Sequence, residues 1–462
     1  MNRSEHTLAL PDLFLNRMQQ LTGQDFTTQY DFPQHRGVRL NPLKGNTEQI
    51  KKELCDILLH PIPFSPEGYE IEENVKLGNH PLHHAGAVYV QEPSAMSVVN
   101  LLQIRPGETV LDLCAAPGGK STQIAAALKG DGLLWCNEYV RSRASVLLQN
   151  LERLGVSNSV VTSLDSEVIA SKLPDYFDAV LVDAPCSGEG MFRKEPVALE
   201  QWSIDNIVLC KERAATILEN AAKTVKPGGR LMLSTCTFAP EENECQVLHF
   251  LNTHPEFGLV DIPKAFGRNG FSYEKVKSFT EEFNPYSVDL TKCLRIFPED
   301  GGEGHFMALM KRKPVDFSPS ISANNTSLPP KELAEALETW IGFVPNGNYT
   351  CVNTTWHFTP ASYQAQKGLP VLSAGVPVAE VCKNRLEPTH YLFSAFGGVA
   401  PQKMDFSAMD SNILAFLHGE TISCPFPSGY VAVCVCGACV GFGKATNGVL
   451  KNHYPKGLRT LK

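Results

Sequence analysis

The sequence predicts an α/β protein built on a doubly wound, Rossmann-like parallel sheet, with smaller α+β units before and after it. Three observations predict this. The apolar run Val110-Leu-Asp-Leu113 stops at Cys114-Ala-Ala-Pro-Gly-Gly-Lys120 and continues into Ser121-Thr-Gln-Ile-Ala-Ala-Ala-Leu128, which reads as strand, tight turn and helix. From Ser97 onward, strand-like and helix-like stretches alternate as βαβ units require. Acidic side chains, Glu138 and Asp165, stand just past the second and third strands, where an open sheet forms its ligand crevice.

Taken in order, residues 1–75 form a small α+β module. Leu10-Pro-Asp-Leu-Phe-Leu-Asn-Arg-Met18 enters a helix through Pro11 and Asp12, Val38 to Lys44 is a short strand, and Thr47 to Leu59 repeats apolar residues at helical spacing. His80, His83 and His84 follow without a carboxylate at ligand spacing, so they read as hydrogen-bonded loop histidines, and no metal is expected. The sheet domain occupies 76–313, with strands at Val110 to Leu113, Gly132 to Cys136, Ser159 to Thr162, Ala179 to Val182, Arg230 to Ser234 and Gly304 to Met310. Residues 314–330, rich in Ser, Pro and Asn, read as a linker. An intermediate α+β region, 331–400, opens with a helix at Lys331 to Leu337 and has strands at Tyr349 to Asn353 and Trp356 to Phe358. In the last region, 401–462, Tyr430 to Val440 reads as a strand.

At 462 residues the chain is long enough for two to four units, and 43% hydrophobic with 19% charged residues is the balance of a soluble globular protein. No apolar run reaches membrane-spanning length and no export signal opens the chain, so a cytoplasmic protein with no membrane partner is expected. The 14 cysteines are scattered and expected to be reduced; Cys434, Cys436 and Cys439 alternate with apolar residues and read as buried strand cysteines rather than zinc ligands. A net charge of −8 excludes a protein that coats nucleic acid indiscriminately. Local basicity remains in Arg36, Arg39, Lys44, Lys51 and Lys52, and in Lys444, Lys451, Lys456, Arg459 and Lys462.

The chemistry is concentrated at strand ends. The loop of Gly118 and Gly119 admits close backbone approach, and the helix start expected at Ser121 offers N–H groups to a carboxylate. The loop matches neither the dinucleotide nor the phosphate-cradling glycine pattern, so a ligand carrying both a nucleoside and an amino-acid carboxylate, S-adenosyl-L-methionine, suits it best. Glu138, 26 positions after Asp112, is placed for the ribose hydroxyls, and Asp165 for the adenine amine. The fourth strand ends in Asp183-Ala-Pro-Cys186 and the fifth in Ser234-Thr-Cys236, which brings two thiols and a carboxylate to neighbouring strand ends. Carbon 5 of a pyrimidine is a poor nucleophile until a thiolate adds to carbon 6, and charge developing at the ring nitrogen needs a partner. Asp183 is placed for that, as the expected bearer of the proton.

These motifs resemble the NOL/NOP/Sun RNA cytosine-5 methyltransferases, and within them the bacterial RsmF-type ribosomal RNA enzymes. The resemblance rests on Asp112 to Lys120, Asp183-Ala-Pro-Cys-Ser-Gly188 and Ser234-Thr-Cys-Thr237, in that order. Arg39-Leu-Asn41, Tyr89 to Ala95 and Gly302-Glu-Gly-His-Phe306 support it, over residues from about 10 to 313. It implies a class I S-adenosylmethionine-dependent methyltransferase sheet with an N-terminal RNA-binding module and a C-terminal PUA-like extension. It implies that Cys114, Ala115, Ala116, Pro117, Gly118, Gly119, Lys120, Glu138, Arg143, Asp165 and Asp183 contact the cofactor, and that Lys120 and Asp183 orient the target base. Cys236 would be the nucleophile, with Cys186 assisting proton removal or release. In Phe297-Pro-Glu299 the family pattern suggests histidine at the glutamate, which bears on a local substrate contact.

The expected partners are ribosomal RNA, 16S by resemblance, and the assembled small subunit; DNA is not expected, and the protein is expected to be a monomer. Transfer RNA or 23S ribosomal RNA as the methylated substrate, and a non-catalytic RNA-binding role in ribosome assembly, are the alternatives. Binding alone needs no paired thiols, which speaks against the last.

Overall fold

The computed structural model describes residues 10–285, 287–315, 326–383 and 385–460. Most of the linker read at 314–330, and Lys462, lie outside them. The central sheet runs in the order His305–Arg312, Val225–Thr235, Phe177–Asp183, Thr109–Asp112, Leu133–Asn137, Ser159–Thr162. The last five are parallel to one another. His305–Arg312 lies antiparallel to Val225–Thr235, because a hairpin from Leu294–Ile296 delivers it, so the sheet is mixed rather than wholly parallel.

Both faces of this sheet are covered, which is why its strands are continuous apolar runs rather than alternating ones. Pro93–Leu102, Gly119–Leu128 and Arg141–Arg153 pack Val99, Leu128 and Leu147 on one face. Ile204–Thr224 and Glu244–Thr253 pack Leu218 and Leu248 on the other. Strand order reverses between Thr109–Asp112 and Phe177–Asp183, so the crevice opens at the carboxyl ends of those two strands. The glycine loop and the Asp183 segment leave the sheet there.

The flanking regions depart from the sequence reading in four places. The helix expected over Thr47 to Leu59 ends at Glu53, and Leu58–Pro61 is instead a strand paired with Gly68–Ile71, so its apolar residues serve two elements. Val88–Gln91, assigned by sequence to the sheet domain, pairs with Gly37–Leu40 in the first, four-stranded sheet. Tyr430 to Val440 is two strands, Ser428–Val435 and Ala438–Thr446. Cys436 and Gly437 both have positive φ (51° and 79°) and turn the chain back. Ser373–Ala374, from the intermediate region, adds a short strand to the edge of the central sheet against Val160 and Val161.

The N-terminal module is not a detached clamp. Val38, Leu40 and Ile50 share one core with Val433, Val435 and Leu450 of the C-terminal sheet. Lys44, 3% exposed, donates from Nζ to the carbonyls of Ser394 (2.5 Å) and Cys439 (2.8 Å). Lys44 and Arg39 are therefore internal, and the basic surface read over Arg36 to Lys52 is reduced to Arg36, Lys51 and Lys52. His80, His83 and His84 lie on and before the short helix Pro81–His84. His80 caps it through the Leu82 N–H (3.2 Å), and His84 Nδ1 lies 3.0 Å from the Tyr454 hydroxyl. Among the described residues, no group of His, Cys, Asp or Glu is disposed to hold a metal, and no helix is long and apolar enough to cross a membrane.

Candidate active site

The two sulfurs meet. Cys186 Sγ lies 3.4 Å from Cys236 Sγ, although 50 residues separate them in the chain. Asp183 and Ser234 are register partners on adjacent parallel strands, and the chain reaches Cys186 three residues after Asp183 and Cys236 two residues after Ser234, just past each strand's end. The hydrogen bond to Cys236 is the largest influence on Cys186 and, with burial and the nearby Glu242, pushes its thiol well above the ordinary range. Cys186 is thus held as the protonated thiol. Gly190 donates its N–H to the Cys236 carbonyl (2.9 Å). A Cβ there would stand 2.8 Å from the Gly304 carbonyl oxygen and 3.0 Å from that of Cys236, so only glycine permits this approach.

Beside the thiols, Lys120 Nζ donates to Asp183 Oδ2 at 2.7 Å, and Ser234 Oγ donates to Asp183 Oδ1 at 2.6 Å. Burial alone would raise the Asp183 pKa, but Lys120, His305 and these two hydrogen bonds hold it below the usual carboxylate range. Lys120 is raised in turn: burial opposes its charge, and Asp183 outweighs burial. The sequence expectation that Asp183 carries a proton is therefore corrected. It is an ionised partner, and the donor beside it is the Lys120 ammonium.

The glycine loop forms the other wall. Gly118 takes φ 111° and the helix begins at Gly119, two residues before the expected Ser121. Two loop carbonyls are held by helix Arg141–Arg153. Arg143 donates to Ala116 O (3.1 Å) and Asn150 Nδ2 to Pro117 O (2.9 Å). Arg143 also lies 3.7 Å from Glu138 Oε1. Glu138 is buried and accepts the Val140 N–H (3.0 Å). Asp112 accepts from Ser121 Oγ (2.7 Å), while its other oxygen is buried with no partner among the described residues; burial pushes its pKa up to about 7. Cys114 is raised by burial and by the neighbouring carboxylates. Asp165 is exposed and caps Ser166–Lys172 through the Glu167 N–H (2.8 Å), a sufficient structural role in itself.

A family model described as 16S rRNA methyltransferase RsmB/F matches residues 99–311. Models for the N-terminal domain of 16S rRNA methyltransferase RsmF and for the RsmF PUA domain match 10–93 and 403–460. The ribosomal RNA small subunit methyltransferase F of Vibrio vulnificus is 31% identical over 97% of this chain and 97% of its own. The chain belongs to the ribosomal RNA small subunit methyltransferase F family. The Pectobacterium carotovorum member is 42% identical over 66% of this chain and 63% of its own. A solved methyltransferase homolog from Pyrococcus horikoshii, 28% identical, covers 66% of this chain and 96% of its own with a TM-score of 0.56.

In this family member several site residues lie outside the motif reading of roles. Arg39, 1% exposed, reaches under the glycine loop and donates to Gly119 O (3.1 Å), Thr122 Oγ1 (2.7 Å) and Gln91 Oε1 (3.2 Å). Asn137 ties three strand ends, donating to Leu164 O (2.9 Å) and Leu113 O (3.4 Å) and accepting from Thr162 Oγ1 (2.8 Å). His305 is 3% exposed, and its Nε2 has no partner among the described residues. Burial first, and Lys120 next, push it down to about 4, so it stands neutral near the Lys120–Asp183 pair. Their sequence signal was present, since Arg39 and His305 lie in quoted motifs, but a motif does not say which way a side chain points. Glu299, where histidine was expected, pairs with Arg268 (2.8 Å) and lines a cavity of about 460 Å³ with Gln29 and Phe297.

Proposed function

We propose that this chain transfers a methyl group from S-adenosyl-L-methionine to carbon 5 of cytosine in small-subunit (16S) ribosomal RNA. The observation that carries the reading is the pair of thiols 3.4 Å apart beside the Lys120–Asp183 ion pair. A binding protein has no use for that arrangement. The crevice suits the cofactor: the partnerless Asp112 oxygen, the Gly119 helix start and buried Glu138 offer acceptors and donors on one side of the sheet. Cys114 to Lys120, Glu138, Arg143, Asp165 and Asp183 would hold it. When bound, it supplies an electrophilic methyl group.

The protein's own residues prepare the acceptor. Cys236 adds through Sγ to carbon 6, which makes carbon 5 enamine-like. Lys120 offers an ammonium donor where negative charge develops on the ring, and Asp183 fixes that ammonium. Release completes the step: the carbon 5 proton passes to solvent, its electron pair re-forms the carbon 5–carbon 6 double bond, the Cys236 Sγ–carbon 6 bond breaks, and Cys186, holding its proton, is placed to donate to the departing sulfur. The surface Lys444 and Lys451, on adjacent strands of the PUA-like region, would bind phosphates. A cytoplasmic monomer acting on RNA with its target base splayed out fits this reading.

The test is transfer of tritium from labelled S-adenosylmethionine to 16S ribosomal RNA, 23S ribosomal RNA, transfer RNA, DNA and a metabolite pool side by side, with bisulfite sequencing of the labelled species. Label confined to 16S RNA at a bisulfite-resistant cytosine is expected. Label on any other pool alone overturns the substrate, and no label on any pool overturns the enzyme.

A further inference from the structure

We infer that Glu242 and Glu189 are positioning residues that share one proton and, through Ser187 and Thr237, lock the two thiols at reacting distance. Ser187 directly follows Cys186, and Thr237 directly follows Cys236. Their hydroxyl oxygens are 2.7 Å apart. At one end of this pair, Glu242 sits in very short contact with Ser187 Oγ and accepts the Ser187 N–H at 2.9 Å. At the other end, Glu189 accepts from Thr237 Oγ1 and the Phe238 N–H, both at 2.9 Å, and from Trp202 Nε1 at 2.8 Å. All four side chains belong to residues no more than 3% exposed, so water is not available as a substitute partner.

The proton count decides the state of this chain. Three oxygen–oxygen contacts at hydrogen-bond distance, Glu242 to Ser187, Ser187 to Thr237 and Thr237 to Glu189, need three hydrogens. The two hydroxyls supply two, so the third belongs to a carboxyl group. Glu189 already takes two N–H donors and Glu242 only one, which leaves Glu189 as the carboxylate and Glu242 as the acid. The bonds then run one way, from Glu242 through Ser187 and Thr237 into Glu189. Burial pushes Glu242 up to about 8, and Glu189 and Glu241 push in the same direction. The other charged or titratable groups facing it are Cys186 and Cys210, and Arg17 is bound to Glu241. Loss of the shared proton would leave two lone pairs facing each other across the Ser187–Thr237 contact and two buried carboxylates. The loops carrying the thiols would then part.

This inference rests on the proposed role of the two thiols in methyl transfer, so its test carries a readout independent of turnover. The full-length chain and its Glu242→Ala and Glu242→Gln variants are assayed for methyl transfer to 16S RNA across pH 6 to 10. In parallel, the rate at which diamide joins Cys186 to Cys236, each thiol losing one hydrogen to the reagent, is followed by peptide mapping. For E242A, kcat is expected to fall about 100-fold with the RNA KM nearly unchanged, and diamide closure to slow about 10-fold, the scale of a displaced reacting group. E242Q keeps a donor toward Ser187 that cannot ionise. It is expected to restore most of kcat and of the closure rate and to remove the loss of activity expected of the unaltered chain as pH rises through about 8. An E242A chain with unaltered kcat and closure rate, or an E242Q chain with an unaltered alkaline limb, overturns the inference. If no RNA is methylated by the unaltered chain while closure still depends on Glu242 as described, the clamp stands and the methylation reading falls.

Discussion

Residues 113–120 hold their shape within one continuous strand, loop and helix, with helix Arg141–Arg153 gripping two loop carbonyls. The thiol crevice opposite them is assembled from two loops some 50 residues apart, and four buried polar side chains bind those loops to each other. A loop closed by local geometry tolerates change at its supports. A site closed by a proton-counted bridge fails as a unit, since each member left without its partner is a buried unsatisfied group.

That contrast is broken most sharply at the sulfurs. Cys236→Ala is expected to abolish turnover, a loss on the order of 10⁴-fold or more, and to abolish any covalent adduct with RNA containing 5-fluorocytosine. Cys186→Ala is expected to accumulate the adduct, as seen on a denaturing gel, and the reverse pattern would exchange the two roles. Next in size, Lys120→Met removes the donor beside Asp183 and is expected to lower kcat by about 10³-fold, the cost of one preorganised donor, with cofactor affinity changing far less.

Support for the glycine loop is expected to matter less. Arg39→Met removes three hydrogen bonds beneath Gly119 and Thr122. It should weaken S-adenosylmethionine binding about tenfold, equivalent to about 1.4 kcal/mol, in a calorimetric titration, while kcat at saturation stays near that of the unaltered chain. A loss of kcat equal to that of E242A would show the two walls to be equally unforgiving. A last effect concerns stability rather than turnover. His305 is neutral in the fold down to about pH 4, whereas its ordinary pKa is 6.5. The unfolded chain therefore binds the extra proton between those values, and the His305 contribution is lost as pH falls through that window, by at most about 1.4 kcal/mol per pH unit. The urea stability of His305→Phe subtracted from that of the unaltered chain should show this slope, and a flat difference would refute it.

Much of this molecule was legible before any coordinates. The six strands from Val110 to Met310, the turn at Cys114 to Lys120 and the convergence of Cys186 with Cys236 follow from apolar period and from strand ends sharing one edge of a sheet. The misreadings share a cause. In the sequence Lys44 and Arg39 read as surface charge, yet carbonyls from distant segments satisfy them inside. Asp183 reads as the bearer of a proton, yet the neighbouring Lys120 holds it below the usual carboxylate range.

The sequence by itself determined where the chemistry-bearing residues stand, because two cysteines just past strand ends and a glycine turn are local patterns written in consecutive residues. Only the tertiary structure decided their protonation and spacing. Glu242 holds a proton, Asp183 does not, and the sulfurs stand 3.4 Å apart because burial and partners from remote parts of the chain set those energies. A charge or hydrogen-bond environment has no local period, so no stretch of sequence displays it.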